Sequence, residues 1–104
     1  MLREIANNSK IVNPTMYDAL PLIRIYGYGT LTVGNETISI ASHSNDYIDI
    51  DCDIMDCYCG TTNCNSYVSM SEYNYPAFSA EQSTAVSFAD TITKVMIKPR
   101  FWTI

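Results

Sequence analysis

What most constrains this chain is a two-residue hydrophobic period that returns in short bursts, with Gly, Asn, Asp and Ser between them. Successive side chains of a strand point to opposite faces, so this alternation marks segments buried on one side, whereas a helix would repeat every 3.6 residues. In LIRIY, Ile23 and Ile25 share a face opposite Arg24. TLTV sets Leu31 and Val33 inward, and ETISI does the same with Ile38 and Ile40. The intervening Gly34-Asn35 predicts a tight hairpin, because a two-residue turn needs positive φ, which Gly and Asn adopt at least cost. YIDIDC aligns Ile48, Ile50 and Cys52 against Asp49, Asp51 and Asp53, and the phase then shifts through DIMDCYC, which predicts a bend or bulge near Asp53.

The rest of the chain is punctuation and two further strands. ASHSND and CGTTNCNS read as loops, and YGYG as a strand turn. Residues 69–83 contain a Pro and no sustained period, so they form a long surface connection anchored by aromatics such as Phe78. AVSFA and TKVMIK, on either side of Asp90, make a last hairpin-like pair with Val86, Phe88, Val95 and Ile97 inward. Pro99, lacking an N–H, ends the second of these strands or marks an edge. Phe101 or Trp102 in the tail RFWTI packs back on the domain. REIANNSK offers at most a weak helical turn, since Asn and Ser side chains compete with helical backbone bonds. Roughly seven or eight short strands at such spacings specify an all-β fold, an antiparallel β-sandwich.

At 104 residues and 47% hydrophobic, the chain has material for one core and one domain, residues 1–104, with 1–12 as a lead-in segment. Its net charge of −5 has the wrong sign for a protein that would bind by displacing counterions from phosphate, so no nucleic-acid partner is expected. No apolar run approaches the roughly 18 residues of a membrane helix, and MLREIANNSK lacks a signal-peptide core; no membrane partner is expected and the chain reads as soluble and unprocessed.

Candidate chemistry is sparse. Cys52, Cys57, Cys59 and Cys64 read C-x4-C-x-C-x4-C, against the paired C-x2-C knuckles usual for zinc. CYCGTTNC is superficially similar to the zinc-binding tail that follows the SET domain of lysine methyltransferases, but too little chain precedes Cys52 to hold that domain. A chain made in a reducing cytosol keeps its thiols free, which is the expectation here; Cys52 with Cys64 and Cys57 with Cys64 are the conceivable disulfides, and Cys57 with Cys59 is disfavoured because neighbours on one strand face point in parallel. Asp46, Asp49, Asp51, Asp53 and Asp56 form an acidic run. Carboxylates on alternate strand residues stand about 7 Å apart, too far for one calcium ion, so the run reads as a solvated face that discourages edge pairing. His43 is the one histidine and sits in a polar turn with no positioned nucleophile near it in sequence, so no catalytic residue and no metal site is nominated. Tyr58, Tyr67, Tyr73 and Tyr75 flank the loop region; exposed, such rings stack on sugars or anchor protein contacts, and half-buried they are ordinary strand and loop residues. Tyr73 and Tyr75 are the candidate binding residues.

Three segments, NPTMYDALPLIRIYGYGTLTVGNETISI, YIDIDCDIMDCY and TITKVMIKPRFWTI, together resemble, in order and nearly end to end, the C-terminal region of distal tail proteins of long-tailed bacteriophages. The resemblance implies a galectin-like or carbohydrate-module-like jelly roll that projects from a separate hexameric ring domain at the end of the tail tube. This chain matches only the projecting part, so the resemblance implies a monomer or weak oligomer in isolation. It further implies synthesis in the bacterial cytoplasm, a place at the virion tail tip, other tail or baseplate proteins as partners, no cofactor and no catalysis. The cysteines depart from the family pattern, which has polar residues at several of those positions. A carbohydrate-binding module for host cell-wall saccharide and a small zinc-binding module are the alternatives.

Overall fold

Rows of aliphatic side chains two residues apart on neighbouring strands decide the architecture. The computed structural model describes residues 2–70 and 76–100. Eleven strands occur among them: β1 (Arg3–Ile5), β2 (Ser9–Val12), β3 (Leu22–Gly27), β4 (Gly29–Val33), β5 (Glu36–Ile40), β6 (Ile48–Asp51), β7 (Asp56–Cys59), β8 (Thr62–Asn63), β9 (Val68–Met70), β10 (Ser83–Phe88) and β11 (Ile92–Lys98), with a single 3-10 turn at Asn65–Tyr67. They form a six-stranded sheet in the order β1-β11-β3-β6-β7-β8 and a five-stranded sheet in the order β2-β10-β4-β5-β9. Every pairing is antiparallel. The two sheets make the all-β sandwich that the alternation calls for.

The register shows why the sheets face each other. Across the first sheet, Ile97, Ile23, Ile50 and Cys57 stand opposite one another in a row, beside a second row of Val95, Ile25 and Ile48. Across the second, Phe88, Leu31, Ile38 and Met70 make one row and Val86, Val33 and Glu36 another. Ile23, Ile25, Leu31, Ile38, Ile48, Ile50, Val86, Val95 and Ile97 have no solvent exposure. Each such side chain contributes about 1.5–3 kcal/mol when fully buried. Intervening positions such as Arg24, Ser39, Asp49 and Lys94 point away from this core.

The Gly34-Asn35 hairpin between β4 and β5 forms as expected, with Gly34 at φ +61° and Asn35 outside the positive-φ region, the pattern of a type II′ turn. Pro99 ends β11 as expected, and Phe78 anchors its connection, fully buried and bridged to Ala19 on both sides. The bend near Asp53 is a turn over residues 52–55 with Met55 at φ +55°. CGTTNCNS holds more order than a loop: β7 and β8 pair across Gly60, and the 3-10 turn follows.

Three expectations are corrected. Among the described residues the strands number eleven rather than roughly seven or eight, because two- and three-residue strands at the sheet edges carry too little periodicity to register. REIANNSK is no helical turn; it gives β1 to one sheet and β2 to the other, joined through Asn8 at φ +61°, with Ile5 and Ile11 buried. AVSFA and TKVMIK are not a hairpin, since β10 and β11 lie in opposite sheets. An inward alternating pattern is the same for either layer of a sandwich, so it fixes which residues are buried but not which strands pair. The expected packing of Phe101 or Trp102 lies outside the described residues.

The layer change from β10 to β11 is fitted against a second one, from β3 to β4. Tyr28 donates its N–H to the Thr91 carbonyl at 3.3 Å, and Ala89 donates to the Thr30 carbonyl at 2.9 Å. Gly27, at φ +101°, leaves the space this requires: a Cβ there would come within 2.4 Å of the Thr91 oxygen. Any side chain at Gly27 must therefore push the two crossovers apart while also holding a strained backbone. Gly27→Ala is expected to lose more than about 2 kcal/mol of stability, read as a lower urea midpoint with the slope unchanged.

Candidate functional sites

The outer face of the six-stranded sheet carries a cross-strand row of Glu4, Met96, Arg24, Asp49, Tyr58 and Asn63. Because β3 and β6 place Arg24 and Asp49 directly opposite, the guanidinium meets the carboxylate with two bonds, Nε–H to Oδ1 at 2.7 Å and Nη2–H to Oδ2 at 3.0 Å. The bond to Asp49 raises the Arg24 pKa further. Arg24 also lies 4.1 Å from the Tyr47 ring centre, Lys94 lies 4.5 Å from that of Tyr26, and the two rings are 5.7 Å apart. A cation held over a ring face is the geometry of cation–π attraction.

Asp51, one alternate position along, receives Arg100 Nη2–H at 2.7 Å, while Arg100 Nε–H donates to the Leu20 carbonyl at 2.8 Å. The Arg100 bond holds Asp51 below the ordinary carboxylate value of 3.8. The acidic run is thus not simply a solvated face: Asp49 and Asp51 are 17% and 21% exposed and tie β3, β6 and the end of β11 together. Asp56 belongs to a different knot, accepting from Tyr58 Oη at 2.8 Å, Asn63 Nδ2 at 3.0 Å and Asn65 Nδ2 at 2.5 Å. The Tyr58 bond lowers Asp56 and in return raises the Tyr58 phenol. Among the described residues no group of three His, Cys, Asp or Glu side chains converges as metal ligands would.

The cysteines correct two expectations. Cys59 and Cys64 form a disulfide with Cα atoms 5.9 Å apart, so the thiols are not all free, and the zinc reading loses two of its four sulfurs. The β7–β8 pairing is responsible: with Cys59 opposite Thr62 and the Cys64 N–H bonded to the Cys57 carbonyl at 2.8 Å, the chain turns back and brings Cys64 to Cys59. Neither Cys52 with Cys64 nor Cys57 with Cys64 is the pairing in this structure, because the β7–β8 hairpin, in a segment expected to be loop, sets Cys64 beside Cys59 instead. Cys52 and Cys57 are buried outside the disulfide. Burial pushes the Cys52 thiol up to about 12.

Tyr73 and Tyr75, the candidate binding pair, lie outside the described residues. Of the other two tyrosines singled out, Tyr58 serves Asp56, and Tyr67 is 37% exposed with its ring 5.9 Å from that of His43. His43 is a structural brace rather than a free loop residue: its Nδ1 accepts from the Asn45 N–H at 3.2 Å, so Nε2 carries the proton that bonds the Gly27 carbonyl at 2.9 Å.

Two positions escaped the reading of the sequence. Asn13 is fully buried, yet all its polar capacity is engaged: Nδ2 donates to the Tyr17 and Phe78 carbonyls at 2.8 and 2.9 Å, and Oδ1 accepts from Thr15 N–H and Oγ1 at 3.0 and 2.8 Å. The Asn-Pro dipeptide was its signal, since such pairs start turns. Glu36 occupies the inner row beside Val33, at the mouth of a cavity of about 390 Å³ at the Gly34-Asn35 end of the sandwich. Its place two residues before Ile38 and four before Ile40 was the available sign. No known protein family, curated protein or solved structure matches the chain.

Two outcomes are expected. Since the folded-state pKa of Asp51 is depressed, its contribution to stability is present above the ordinary value of 3.8 and lost as pH falls through the lower folded value. Asp51→Asn is therefore expected to lower the neutral plateau of a urea-midpoint-against-pH curve and to flatten its acid limb below about pH 4. In thiol titration with Ellman's reagent, Cys52 stays unreactive in the folded protein, unfolding exposes the two thiols outside the disulfide, and prior reduction exposes all four. With a separation of five residues the disulfide closes a short loop, and reducing it is expected to cost roughly 2 kcal/mol.

Proposed function

We propose that this chain is a non-catalytic structural domain of a bacteriophage or prophage tail tip, a rigid sandwich on which other tail or baseplate proteins dock. The observation that carries this reading is where the family-like segments fall. NPTMYDALPLIRIYGYGTLTVGNETISI supplies the Asn13 knot, β3, β4 and β5; YIDIDCDIMDCY supplies Tyr47, β6 and most of β7; TITKVMIKPR supplies β11 and Arg100. Residues of all three meet in the Arg24–Asp49 and Asp51–Arg100 pairs. The resemblance therefore rests on the framework of the fold rather than on scattered surface positions.

A framework joined by backbone ladders, two ion pairs and a disulfide suits a part that transmits load. Val12, Met16, Tyr17, Ile54 and Met55 stand 58%, 73%, 49%, 57% and 64% exposed on or beside turns and offer apolar contacts for docking. Affinity in such an interface comes from a few buried apolar and aromatic anchors, with the surrounding charges setting register.

The test is location. In phage particles released from cells carrying the gene, gold-labelled antibody against the chain is expected at the tail tip, and light scattering of the isolated chain is expected to give a monomer or weak oligomer near 11.7 kDa per copy. Expression without any incorporation into particles, or a stable six-fold ring of the isolated chain, would overturn the proposal.

A further inference from the structure

We infer that Cys57, Cys59 and Cys64 form a thiol–disulfide exchange site, in which Cys57 takes Cys64 over from Cys59 and the thiol released on Cys59 reacts at the sheet edge with an external disulfide. This inference is independent of the tail-protein reading and stands or falls separately.

Three observations carry it. First, Cys64 lies within disulfide reach of two partners. The β7–β8 register sets Cys59 opposite Thr62 and Tyr58 opposite Asn63. Continued by one residue it sets Cys57 opposite Cys64, and the Cys64 N–H bonds the Cys57 carbonyl at 2.8 Å. Hydrogen-bonded residues facing each other on antiparallel strands have Cα atoms about 5.5 Å apart, well inside the range a disulfide spans. The pairing that exists, Cys59 with Cys64, spans 5.9 Å. Cys57 stands outside that disulfide, and Cys57 and Cys59, two residues apart on β7, share the inner face on which Cys64 is buried.

Second, the internal exchange consumes no oxidant or reductant. The Cys57 thiol gives its proton to water and its sulfur attacks Cys64 Sγ; the Cys57–Cys64 bond forms as the Cys59–Cys64 bond breaks, and the electron pair leaves on Cys59 Sγ, which takes a proton from water. One thiol and one disulfide enter the step and one of each remains. The rings closed by the two bonds differ by two residues, so chain entropy favours neither by much. Asn45 Nδ2 reaches Cys64 Sγ at 4.0 Å, and Asn65 Oδ1 accepts the Cys57 N–H at 2.8 Å. The sulfur that changes partner and the strand that supplies the nucleophile are thus both held from outside the β7–β8 hairpin.

Third, the two pairings differ in what they show to solvent. Cys57 is 1% exposed, whereas Cys59 is half-buried beside the exposed Gly60-Thr61 turn, and β8 next to it is the last strand of its sheet among the described residues. Exchange therefore moves a thiol from the core to the surface. There Cys59 Sγ attacks a disulfide R–S–S–R, forming Cys59–S–S–R and releasing R–SH. Cys52 does not compete for Cys64: it follows β6, which lies on the other side of β7, and burial pushes its thiol up to about 12.

The test uses Ellman's reagent, an aromatic disulfide, on the full chain kept folded and without added thiol at about pH 8, where thiolate is present. The expected result is release of a single equivalent of thionitrobenzoate over minutes to hours, the time of an uncatalysed disulfide rearrangement. Peptide mapping after acid quenching is expected to find the adduct on Cys59 and a disulfide joining Cys57 to Cys64. Cys57→Ser abolishes the release, and Cys52→Ser leaves its rate unchanged. If Cys57→Ser fails to fold, Cys59→Ser decides: oxidised with glutathione disulfide, it is expected to close the Cys57–Cys64 bond. No release from the folded protein, an adduct on Cys57 or Cys52 with the Cys59–Cys64 bond intact, release that survives in Cys57→Ser, or a Cys59→Ser protein in which Cys57 and Cys64 stay unlinked would overturn the inference.

Discussion

Everything in this molecule depends on two antiparallel sheets having nowhere but each other to bury their inner faces. An antiparallel sheet with one apolar face is stable only when that face is covered. Here the Ile23, Ile25, Ile48 and Ile50 face of one sheet meets the Leu31, Ile38 and Val86 face of the other, and none of these residues retains exposure. The choice of isoleucine and valine suits the role, since β-branched side chains lose little freedom on a pleated surface. That mutual dependence makes the crossovers critical. The layer changes are short, one residue between β3 and β4 and three between β10 and β11, and the two corners succeed by nesting, with a carbonyl of one occupying the space that a missing Cβ leaves in the other.

Polar groups are distributed by the same logic. Outward positions on the first sheet carry charges of opposite sign directly across from one another, so Arg24 and Asp49 meet without distorting the ladder. An exposed ion pair contributes little, but a bidentate pair roofed by tyrosine is less hydrated and better oriented. The Asp51–Arg100 pair does a different job: it fastens the residue after Pro99 to the strand two places away, which sets the end of β11 where the ladder has no more hydrogen bonds to give. Asn13 does inside the fold what these pairs do outside it, using one amide to hold two connections that no strand pairing reaches.

How much of this is legible in the sequence follows from what alternation encodes. A period of two states which side chains are buried, and on that account the inward residues of β3, β4, β5, β6, β10 and β11 are all readable. The Gly34-Asn35 turn is readable because its chemistry is local. Strand partnership is not local. Val86 and Val95 carry the same message of burial while belonging to opposite layers, so the pairing of β10 with β2 and β4, and of β11 with β1 and β3, has no sign in either segment alone. Edge strands such as β1, β8 and β9 are only three, two and three residues long, too short for a two-residue alternation to recur. The disulfide was hidden for the same reason: Cys59 and Cys64 come together only because β8 turns the chain back, and two residues of strand leave no trace in hydropathy. Tyr73 and Tyr75 lie outside the described residues, while Glu36 is readable as a glutamate standing in step with Ile38 and Ile40.

That glutamate separates two kinds of polar residue that look alike in a sequence. Asn13, Asp49 and Asp51 break or border the apolar pattern, and each has its hydrogen-bonding capacity engaged by the fold: carbonyls and a threonine for the first, guanidinium groups for the others. Replacing any of them would leave a partner stranded, so their presence is explained by stability alone. Glu36 differs in that one of its oxygens is shielded and has no hydrogen-bond partner among the described residues. A sequence that is consistent at other levels can carry such a local conflict. The inward acid stands where the row ends: Val33 and Glu36 are the last pair before the strands turn at Gly34-Asn35.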